Sequence, residues 1–522
     1  MEPASSRARA AALTSILVIG AGLRFVPIWF GLPYVTARPD EETSLGHAAA
    51  ILGGDPNPHF FHWPSLTFYV FAGLFEAASA AKRLAGMTAD LTDAQRLLIA
   101  RGCVALAGTA TILVLLRIGR RVGGAAVGLI AALFLAVSML HVRESHFAMT
   151  DAVMTSFAMT SLALMLRGFD GGGARSFMAA GLAGGLAAST KYTAVALLAS
   201  LAVAHVLLLL RSTEDRLRTW AASGAFVAFF AFGFIAATPY AALDSRKFVE
   251  DFQFNVTHLS EGHAVNLGRG WVYHLVRSLP YGVSWPIFLT AITGVVPFVR
   301  RHRDYALIVG AFAVATYVSL GNGYTVFFRY VLPIVPIVCL SAAVAIRQAA
   351  SAIRSVHLQV DRTALWLASI VALSGAVNCV WFDALLARKD TRVLAREWLD
   401  AQTMPSDTLY EAETGYSMLD LRGLSVHSWQ YDPASDSFLN AGGRTPDWLV
   451  LHQSPLSGYA ADPPPLRRLA AERYDLAQTI AATKGAARSA IYDPQDAFFM
   501  PVSGFSTVIR AGPTILIYKR RH

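Results

Sequence analysis

Long apolar runs, separated by short polar segments, recur along the first 382 residues of the chain. Helices of about 20 apolar residues cross the hydrocarbon core of a bilayer, so these runs predict membrane spans. The pattern predicts about eleven of them, at 11–30, 97–118, 125–141, 150–167, 177–192, 194–210, 220–237, 284–299, 305–320, 329–346 and 364–382. We therefore expect residues 1–382 to form an α-helical polytopic membrane domain.

Two apolar segments have a second interpretation. The run at 11–30 follows Arg7 and Arg9 and could be a signal peptide, but its length and the spans after it favour an uncleaved first helix. Residues 64–81 could also span the membrane, but this would reverse the side on which every later loop lies. We expect this segment to form an interfacial or re-entrant helix on the outer face.

The charges are few and unevenly distributed. Only 15% of the residues are charged, against about 25% in soluble proteins, which argues against a soluble enzyme. Arginine-rich loops, such as the one that contains Arg117, Arg120 and Arg121, alternate with loops poor in basic residues. The net charge of +9 therefore indicates orientation rather than nucleic-acid binding, with the N-terminus cytoplasmic and the long segments 31–96 and 238–284 outside. The three cysteines lie in apolar runs and have no disulfide or metal spacing.

The composition changes after residue 382. The stretch DTRVLAREWLDAQ predicts an amphipathic helix, and a strand is predicted just after it. PDWLVLH and STVIRAGPTILIYKR predict two further strands, or a hairpin around Gly512 and Pro513. We expect residues 383–522 to form a small α/β domain on the outer, periplasmic side.

Ionisable residues are costly at a membrane, and several are predicted at the outer ends of the spans. Asp40 and Glu41 follow the first span, Asp151 opens the fourth, Lys191 lies at a helix turn, and Arg329 begins the tenth. Acids could activate a hydroxyl, and cations could hold a departing phosphate. Simpler roles are also open, because acids stabilise helix N-termini and basic side chains reach lipid headgroups. Likewise, the residues just before Asp151 could form a solvated turn.

Five segments resemble, in the same order, segments of a known superfamily: PDEE followed by NPHFFHWPSLTFY, then ESHFAMTDAVMTSF, AGLAGGLAASTKY and FRYVLPIVPIV. They are similar to the protein O-mannosyltransferase and aminoarabinose-transferase superfamily, polytopic enzymes of the C-type glycosyltransferase fold. The C-terminal region is similar to the outer domain of bacterial members. The resemblance covers most of the chain.

The resemblance implies an inverting glycosyltransferase in the bacterial inner membrane. It would move a hexosyl or pentosyl group from a polyprenyl-phosphate donor to an acceptor hydroxyl of a glycan, lipid or protein, at the periplasmic face. Asp40 would be the general base, with Glu41 as its acidic neighbour. Lys191 and Arg329 would neutralise the carrier phosphate as it leaves. The residues that would shape the site or contact the acceptor are Asp151, His146 and His62.

Two details of the resemblance concern metal and specificity. Some members use a divalent cation such as Mg²⁺ or Mn²⁺, for which Asp40, Glu41 and His47 could be ligands, although their spacing is not that of a dedicated metal site. His146 stands where many relatives carry arginine, so a phosphate or acceptor contact there would be weaker or pH-dependent. The C-terminal region has no WWDYG-type segment, which argues against an oligosaccharyltransferase.

Two other classes of function are compatible with parts of this pattern. A transporter or flippase of a lipid-linked sugar would carry charges near the bilayer midplane and paired broken helices, whereas the charges here are predicted at one face. A membrane scaffold would use the C-terminal domain to bind a partner, and its carboxylates would only cap helices.

Overall fold

The structure is a computed structural model that describes residues 2–88, 90–211, 215–353, 357–412, 415–432, 434–439, 442, 444–485 and 489–521. The chain divides into two compact units. The first comprises Met1–Ile28 and Thr43–Val380, and the second comprises Trp29–Glu42 and Trp381–His522. The predicted boundary at residue 382 stays a prediction. This division places the boundary after Val380 and also groups the short segment 29–42 with the C-terminal residues.

The described chain up to residue 386 is almost entirely helical. Its helices are α1 Glu2–Phe25, α2 Glu41–Leu52, α3 Leu66–Leu84, α4 Asp93–Ala136, α5 Met139–Glu144, α6 Asp151–Arg167, α7 Gly173–Ala188, α8 Leu197–Arg211, α9 Arg216–Ala237, α10 Tyr240–Leu243, α11 Ser245–Glu261, α12 Gly270–Tyr273, α13 Leu279–Val283, α14 Trp285–Arg301, α15 Arg303–Gly321, α16 Val335–Ile353 and α17 His357–Leu386. Shorter helical turns cover Gly168–Gly172, Tyr192–Ala196, His274–Ser278 and Phe328–Ile334. The predicted α-helical polytopic domain is confirmed.

Eight helical stretches in the described residues are long and apolar enough to cross a membrane. They are Arg7–Phe25, Asp93–Ala136, Asp151–Ala188, Tyr192–Arg211, Arg216–Ala237, Arg303–Gly321, Phe328–Ile353 and Val360–Gln402. A ninth arises if Gly270–Val283 and Trp285–Arg301, which meet at an angle of 115°, count as one broken span. The expected number of about eleven therefore stays a prediction. The segment 64–81 forms the body of α3 and is not among these stretches, and its place at the interface also stays a prediction.

Two of the long stretches fold back on themselves. α4 loses helical geometry at Gly123 and Gly124, and a Cβ atom built on Gly119 would lie 2.7 Å from the Gly128 Cα. Between α6 and α7 the turn lies at Asp170 and Gly171. There, the Ser161 hydroxyl donates to the Ala180 carbonyl at 2.7 Å, although 19 residues of straight helix would separate them by about 28 Å. Each stretch is therefore an antiparallel hairpin.

Glycines allow α7 and α9 to approach closely. A Cβ atom on Gly181 or Gly185 would collide with the backbone carbonyl oxygen of Phe226 or Phe230, respectively. Small residues at such crossings bring helix backbones into van der Waals contact, which is a main source of helix association in membranes. This packing holds the C-terminal end of α7, where Lys191 follows, in a defined position.

The second unit contains a mixed β-sheet. Its strands are β1 Thr408–Glu411, β2 His427–Ser428, β3 Tyr431–Asp432, β4 Ser437–Phe438, β5 Trp448–Gln453, β6 Tyr474–Ile480 and β7 Thr514–Arg520, with helices α18 Thr391–Gln402 and α19 Pro464–Arg473. The five-stranded sheet has the order β2-β1-β5-β7-β6, and β3 pairs with β4 separately. β1 runs parallel to β2 and β5, while β7 runs antiparallel to β5 and β6.

The two faces of this sheet are covered by different helices. Leu409, Val450 and Ile517 pack with Leu399 of α18 in one core cluster. Leu449 and Leu451 pack with Leu466 of α19 in the other. The predicted helix and strands are thus present. The alternative hairpin around Gly512 and Pro513 is wrong, because β7 begins after these residues and pairs with β5 and β6.

Candidate active site

An ion pair joins the start of α6 to the segment after α7. Lys191 Nζ lies 2.5 Å from Asp151 Oδ1, and Asp151 is only 1% exposed. The hairpin explains the pair, because antiparallel helices bring the first turn of one beside the last turn of the other. Asp151 Oδ2 is buried and makes no hydrogen bond within the described part of the chain. The Lys191 ammonium group is therefore paired with a buried carboxylate, and its side chain is 19% exposed.

The ion pair lies in the wall of a cavity of about 470 Å³. Most of the remaining wall is aromatic or aliphatic, formed by Met154, Ala188, Tyr192, Val195, Phe230, Phe234, Phe248, Phe252, Val256, Leu259, Leu320 and Tyr330. Lys191 Nζ is 4.7 Å from the centre of the Tyr330 ring, within the range of a cation–π interaction. A cation beside a mostly apolar wall suits a ligand with an anionic head and an apolar body.

His62 also lines this cavity, and its loop is attached to α11. Asp251 Oδ2 accepts from the Phe61 backbone N–H at 2.7 Å, and the Asn255 amide donates to the His62 carbonyl at 2.8 Å. Lys247 lies 2.7 Å from Asp251 Oδ1. Burial lowers the pKa of the His62 imidazole. This fits a neutral, site-shaping side chain, and the role remains a prediction.

Arg329 lies in the helical turn Phe328–Ile334 and is only 9% exposed. Its guanidinium carbon is 4.1 Å from the centre of the Phe327 ring. Its neighbour Tyr330 lines the cavity with Lys191, whereas Arg329 is not among the lining residues. Anchoring of Arg329 in the headgroup region is wrong, because the side chain is buried. A role in binding phosphate stays a prediction.

The residues before Asp151 are buried, so their interpretation as a solvated turn is wrong. Arg143 and Glu144 form an ion pair at 1% and 0% side-chain exposure. His146 is fully buried, and its ring nitrogens lie 2.9 Å from the Val142 carbonyl oxygen and 3.2 Å from that of Val26. Burial lowers its pKa to about 4. A directly exposed, pH-dependent acceptor contact through His146 is therefore not supported, because the ring is closed off and bound to backbone.

The acidic segment has an unusual backbone at Asp40. Its φ is 71°, in the left-handed region, whereas a helix N-cap ordinarily has an extended conformation. Its backbone N–H donates to Glu42 Oε1 at 3.3 Å, and Glu41 is fully buried. Non-glycine residues in this region are often found at functional sites, where the surrounding structure holds them. Asp40 is therefore not a simple helix cap.

Glu42 has the clearest electrostatic perturbation of this segment. Its Oε1 accepts from the Tyr416 hydroxyl at 3.2 Å. Burial raises the pKa of the Glu42 carboxyl, and the nearby charge of Asp40 raises it further. Burial likewise raises the pKa of Tyr416, with Glu42 as the next contribution in the same direction.

Buried contacts fix the segment before Asp40 within the second unit. Arg38 donates to Asp496 Oδ1 at 3.0 Å, with both side chains almost fully buried. Arg392 donates to the Ala37 carbonyl at 3.1 Å, and the Tyr34 hydroxyl donates to the Met418 carbonyl at 2.7 Å. These contacts explain why residues 29–42 group with the C-terminal residues and not with the helices that follow them.

The possible metal ligands do not form a cluster. Across the described ranges, no group of three His, Cys, Asp or Glu side chains could hold a metal ion. The His47 ring instead packs against Phe60 and Phe68, with centroid separations of 4.7 and 4.9 Å. Asp40, Glu41 and His47 therefore do not fit as a ligand set.

Several residues of these two regions were missed in the sequence. Glu42 was present in the PDEE motif, but the sequence could not show its contact with the Tyr416 hydroxyl. Tyr330 follows Arg329 in the motif FRYVLP. Neighbouring side chains point in different directions from the helical turn, and only Tyr330 of the two lines the cavity. Asp251 and Tyr416 had no local signal, because each acts through a distant partner in the chain.

The fold defines a polytopic helical membrane protein, and comparisons with known proteins agree with this class. Residues 84–241 match the family model for dolichyl-phosphate-mannose-protein mannosyltransferase. The crystal structure of ArnT from Cupriavidus metallidurans in the apo state is 17% identical, covers 98% of each chain and has a TM-score of 0.55. Its structure bound to undecaprenyl phosphate is 16% identical, covers 97% of each chain and has a TM-score of 0.52. No curated protein is similar enough in sequence to count as a match.

The family match and the shared fold confirm the resemblance seen in the motifs. The chain is similar to this family over residues 84–241, and it shares the fold of ArnT along nearly its whole length.

Proposed function

We propose that the protein transfers a sugar, with inversion, from a polyprenyl-phosphate donor to an acceptor hydroxyl. The observation that carries the proposal is the Lys191–Asp151 ion pair in the aromatic cavity. A polyprenyl phosphate has an anionic head and an apolar chain, the two properties that this cavity combines. The related ArnT, solved with undecaprenyl phosphate, provides a precedent for such a ligand in this fold.

Lys191 would bind the carrier phosphate. Asp151 holds the ammonium group in place, and Tyr330 covers it from another side. When the bond between the sugar C1 and the phosphate oxygen breaks, the oxygen keeps the electron pair and the phosphate gains negative charge. A preorganised cation in a largely apolar cavity stabilises this developing charge more than it would in bulk water. Arg329 is assigned a secondary role in the same charge neutralisation.

Asp40 would be the general base. In inverting transfer, the acceptor oxygen attacks C1 from the face opposite the phosphate while its proton passes to a carboxylate. The left-handed backbone of Asp40 and the buried Glu41 beside it support a constrained carboxylate of this kind. Asp151 and His62 would shape the cavity. No three His, Cys, Asp or Glu side chains of the described residues form a group that could hold a metal ion, and no step is assigned to a metal.

The orientation follows from the distribution of arginines. We propose that the N-terminus is cytoplasmic and that the residues after the last span, about 383–522, form a periplasmic domain of a bacterial inner-membrane protein. The acceptor would be a glycan, lipid or protein that carries a free hydroxyl on that side. The sugar would be a hexosyl or pentosyl group.

The proposed base can be tested with Asp40→Asn. Purified protein in detergent would be given a polyprenyl-phosphate-linked sugar and an extract of envelope acceptors, and the release of free polyprenyl phosphate would be followed. We expect a rate at least about 100-fold below wild type, because general-base catalysis contributes about 10²–10⁴. Asp55→Asn, an exposed carboxylate of the same outer segment, is the control and should retain activity. An Asp40→Asn rate equal to wild type would refute the assignment.

The phosphate contact can be tested with the double variant Lys191→Gln/Asp151→Asn. Removing both charges leaves no unpaired buried ion, so the fold should survive. We expect the KM for the donor to rise at least about tenfold, since a charge-assisted hydrogen bond contributes about 1.5–3 kcal/mol. Lys389→Ala, at an exposed lysine, is the control. If the wild-type protein moves intact donor across vesicles without cleaving it, the flippase alternative would replace the transferase.

A further inference from the structure

A second cavity lies at the opposite end of α6 from Asp151. It has a volume of about 950 Å³ and is formed where the turn of α4 meets the turn between α6 and α7. Arg117, Arg120, Arg121 and Arg167 line it together with a single acid, Asp170. The 17 residues of α6 separate it from the Lys191 cavity by about 24 Å. It is therefore a different site from the one assigned above to the carrier phosphate.

The acid of this cavity is already engaged. Asp170 Oδ2 accepts from Arg121 at 2.7 Å, and Asp170 Oδ1 accepts from the Tyr305 hydroxyl at 3.0 Å. Arg121 also donates to the Leu166 carbonyl at 3.2 Å, which fixes one hairpin turn against the other. These contacts form one side of the cavity, and the negative charge of Asp170 is neutralised by Arg121.

Three arginines then remain as excess positive charge. Within the described residues, the side chains of Arg117, Arg120 and Arg167 have neither an ion pair nor a hydrogen bond to the protein. Arg117 lies three positions before Arg120 and four before Arg121 on one helix, a spacing at which like charges repel. Arginines are common in loops on one side of a membrane, which explains why the charge here is positive. Arginines on an exposed convex loop would follow the same rule, so it does not explain why these side chains line a cavity. Their convergence on a cavity calls for an anion.

We propose that this cavity binds the phosphate-bearing headgroup of an anionic phospholipid. Arginine guanidinium groups match phosphate oxygens in geometry and hold them by paired hydrogen bonds. The remaining wall is mostly apolar and comes from the apolar helices, at Val114, Ile118, Ala163 and Leu164. Such a wall accommodates the start of an acyl chain, which a soluble phosphate compound lacks. Bound lipid would link the two hairpins and stabilise the bundle.

The test uses the full-length protein in nanodiscs and in native mass spectrometry. Wild-type protein should retain phosphatidylglycerol in preference to phosphatidylcholine by at least fivefold. The triple variant Arg117→Gln/Arg120→Gln/Arg167→Gln should lose this preference. The matched control is Arg300→Gln/Arg301→Gln/Arg303→Gln, which removes the same charge from the α14–α15 junction, outside the lining of this cavity, and should keep it. Equal losses in both triple variants would overturn the proposal, because they would indicate a general effect of net charge.

A second variant separates lipid from soluble phosphate and covers the case in which the triple variant fails to fold. Ala163→Trp keeps every arginine and fills the apolar wall. We expect it to weaken phosphatidylglycerol retention at least threefold. Millimolar inorganic phosphate should not displace the lipid from wild type. Full displacement by inorganic phosphate would assign the cavity to a soluble anion. Unaltered retention in Ala163→Trp would show that the retained lipid binds elsewhere. Either result would overturn the lipid proposal.

Discussion

Arg38 and Asp496, 458 positions apart in the chain, form an ion pair of 3.0 Å whose two side chains are 0% and 2% exposed. The pair lies within the second unit and holds the backbone two residues before Asp40. The guanidinium carbon also lies 5.6 Å from the centre of the Phe498 ring. The position of the proposed base therefore depends on residues near the C-terminal end of the chain.

Arg38→Ala is expected to destabilise the second unit by about 3–5 kcal/mol, because it leaves the Asp496 carboxylate buried without its arginine. The measurement is the thermal unfolding midpoint of the purified protein, followed by tryptophan fluorescence. Arg422→Ala removes an ion pair to Asp420 from an arginine that is 77% exposed, and it should cost no more than about 1 kcal/mol. Equal shifts in the two variants would contradict the importance of the buried pair.

Glu42 should make stability depend on pH in a defined direction. Its pKa in the folded protein is raised above the ordinary value of 4.5, mainly by burial, so the fold favours the protonated carboxyl. The resulting stabilisation is fully present below pH 4.5 and is lost as the pH rises through the raised pKa. We expect the unfolding midpoint of Glu42→Gln, relative to wild type, to increase over this window. The unfolding midpoint of the control Glu472→Gln, at an exposed glutamate, should stay equal to that of wild type at every pH. A constant difference between the midpoints of Glu42→Gln and wild type across the pH range would disprove the assignment.

Asp251 is expected to attach α11 to the loop that carries His62. Asp251→Asn removes the charge of the carboxylate that contacts Lys247 and the Phe61 N–H. We expect the weaker contacts to lower the free energy of attachment by about 1.5–3 kcal/mol in total. Hydrogen–deuterium exchange should become faster in residues 245–261 and 59–63. The neighbouring substitution Glu250→Gln, at an exposed position of the same helix, should leave exchange unaltered. Unaltered exchange in Asp251→Asn would show that other contacts hold the helix.

Gly185→Ala should separate α7 from α9, because the new methyl group would meet the Phe230 carbonyl and lie 2.9 Å from the Phe234 nitrogen. Overpacking of this kind costs about 1–3 kcal/mol. Lys191 follows α7, so we also expect weaker donor binding. Gly224→Ala on α9 has open space around it and should be neutral or slightly stabilising. Comparison of unfolding midpoints for the two alanine variants tests whether the close approach matters.

The sequence by itself determined the class of this protein. Apolar runs long enough to cross a bilayer predict a helical membrane domain whatever their mutual packing, because each span must satisfy its own backbone hydrogen bonds. The segments PDWLVLH and STVIRAGPTILIYKR likewise predicted strands of the C-terminal sheet. The ordered motifs around Asp40, Asp151, Lys191 and Arg329 indicated the superfamily, and residues 84–241 match one of its family models.

The tertiary structure decided how individual charges are used. Sequence spacing cannot show that Lys191 meets Asp151, that Tyr330 rather than Arg329 lines the cavity, or that His146 is sealed by backbone carbonyls. Nor could it show that Arg38 is bound by Asp496. These outcomes depend on which helices and strands pack together. The free energy of a buried charge is set by partners that are close in space, and those partners are distant along the chain.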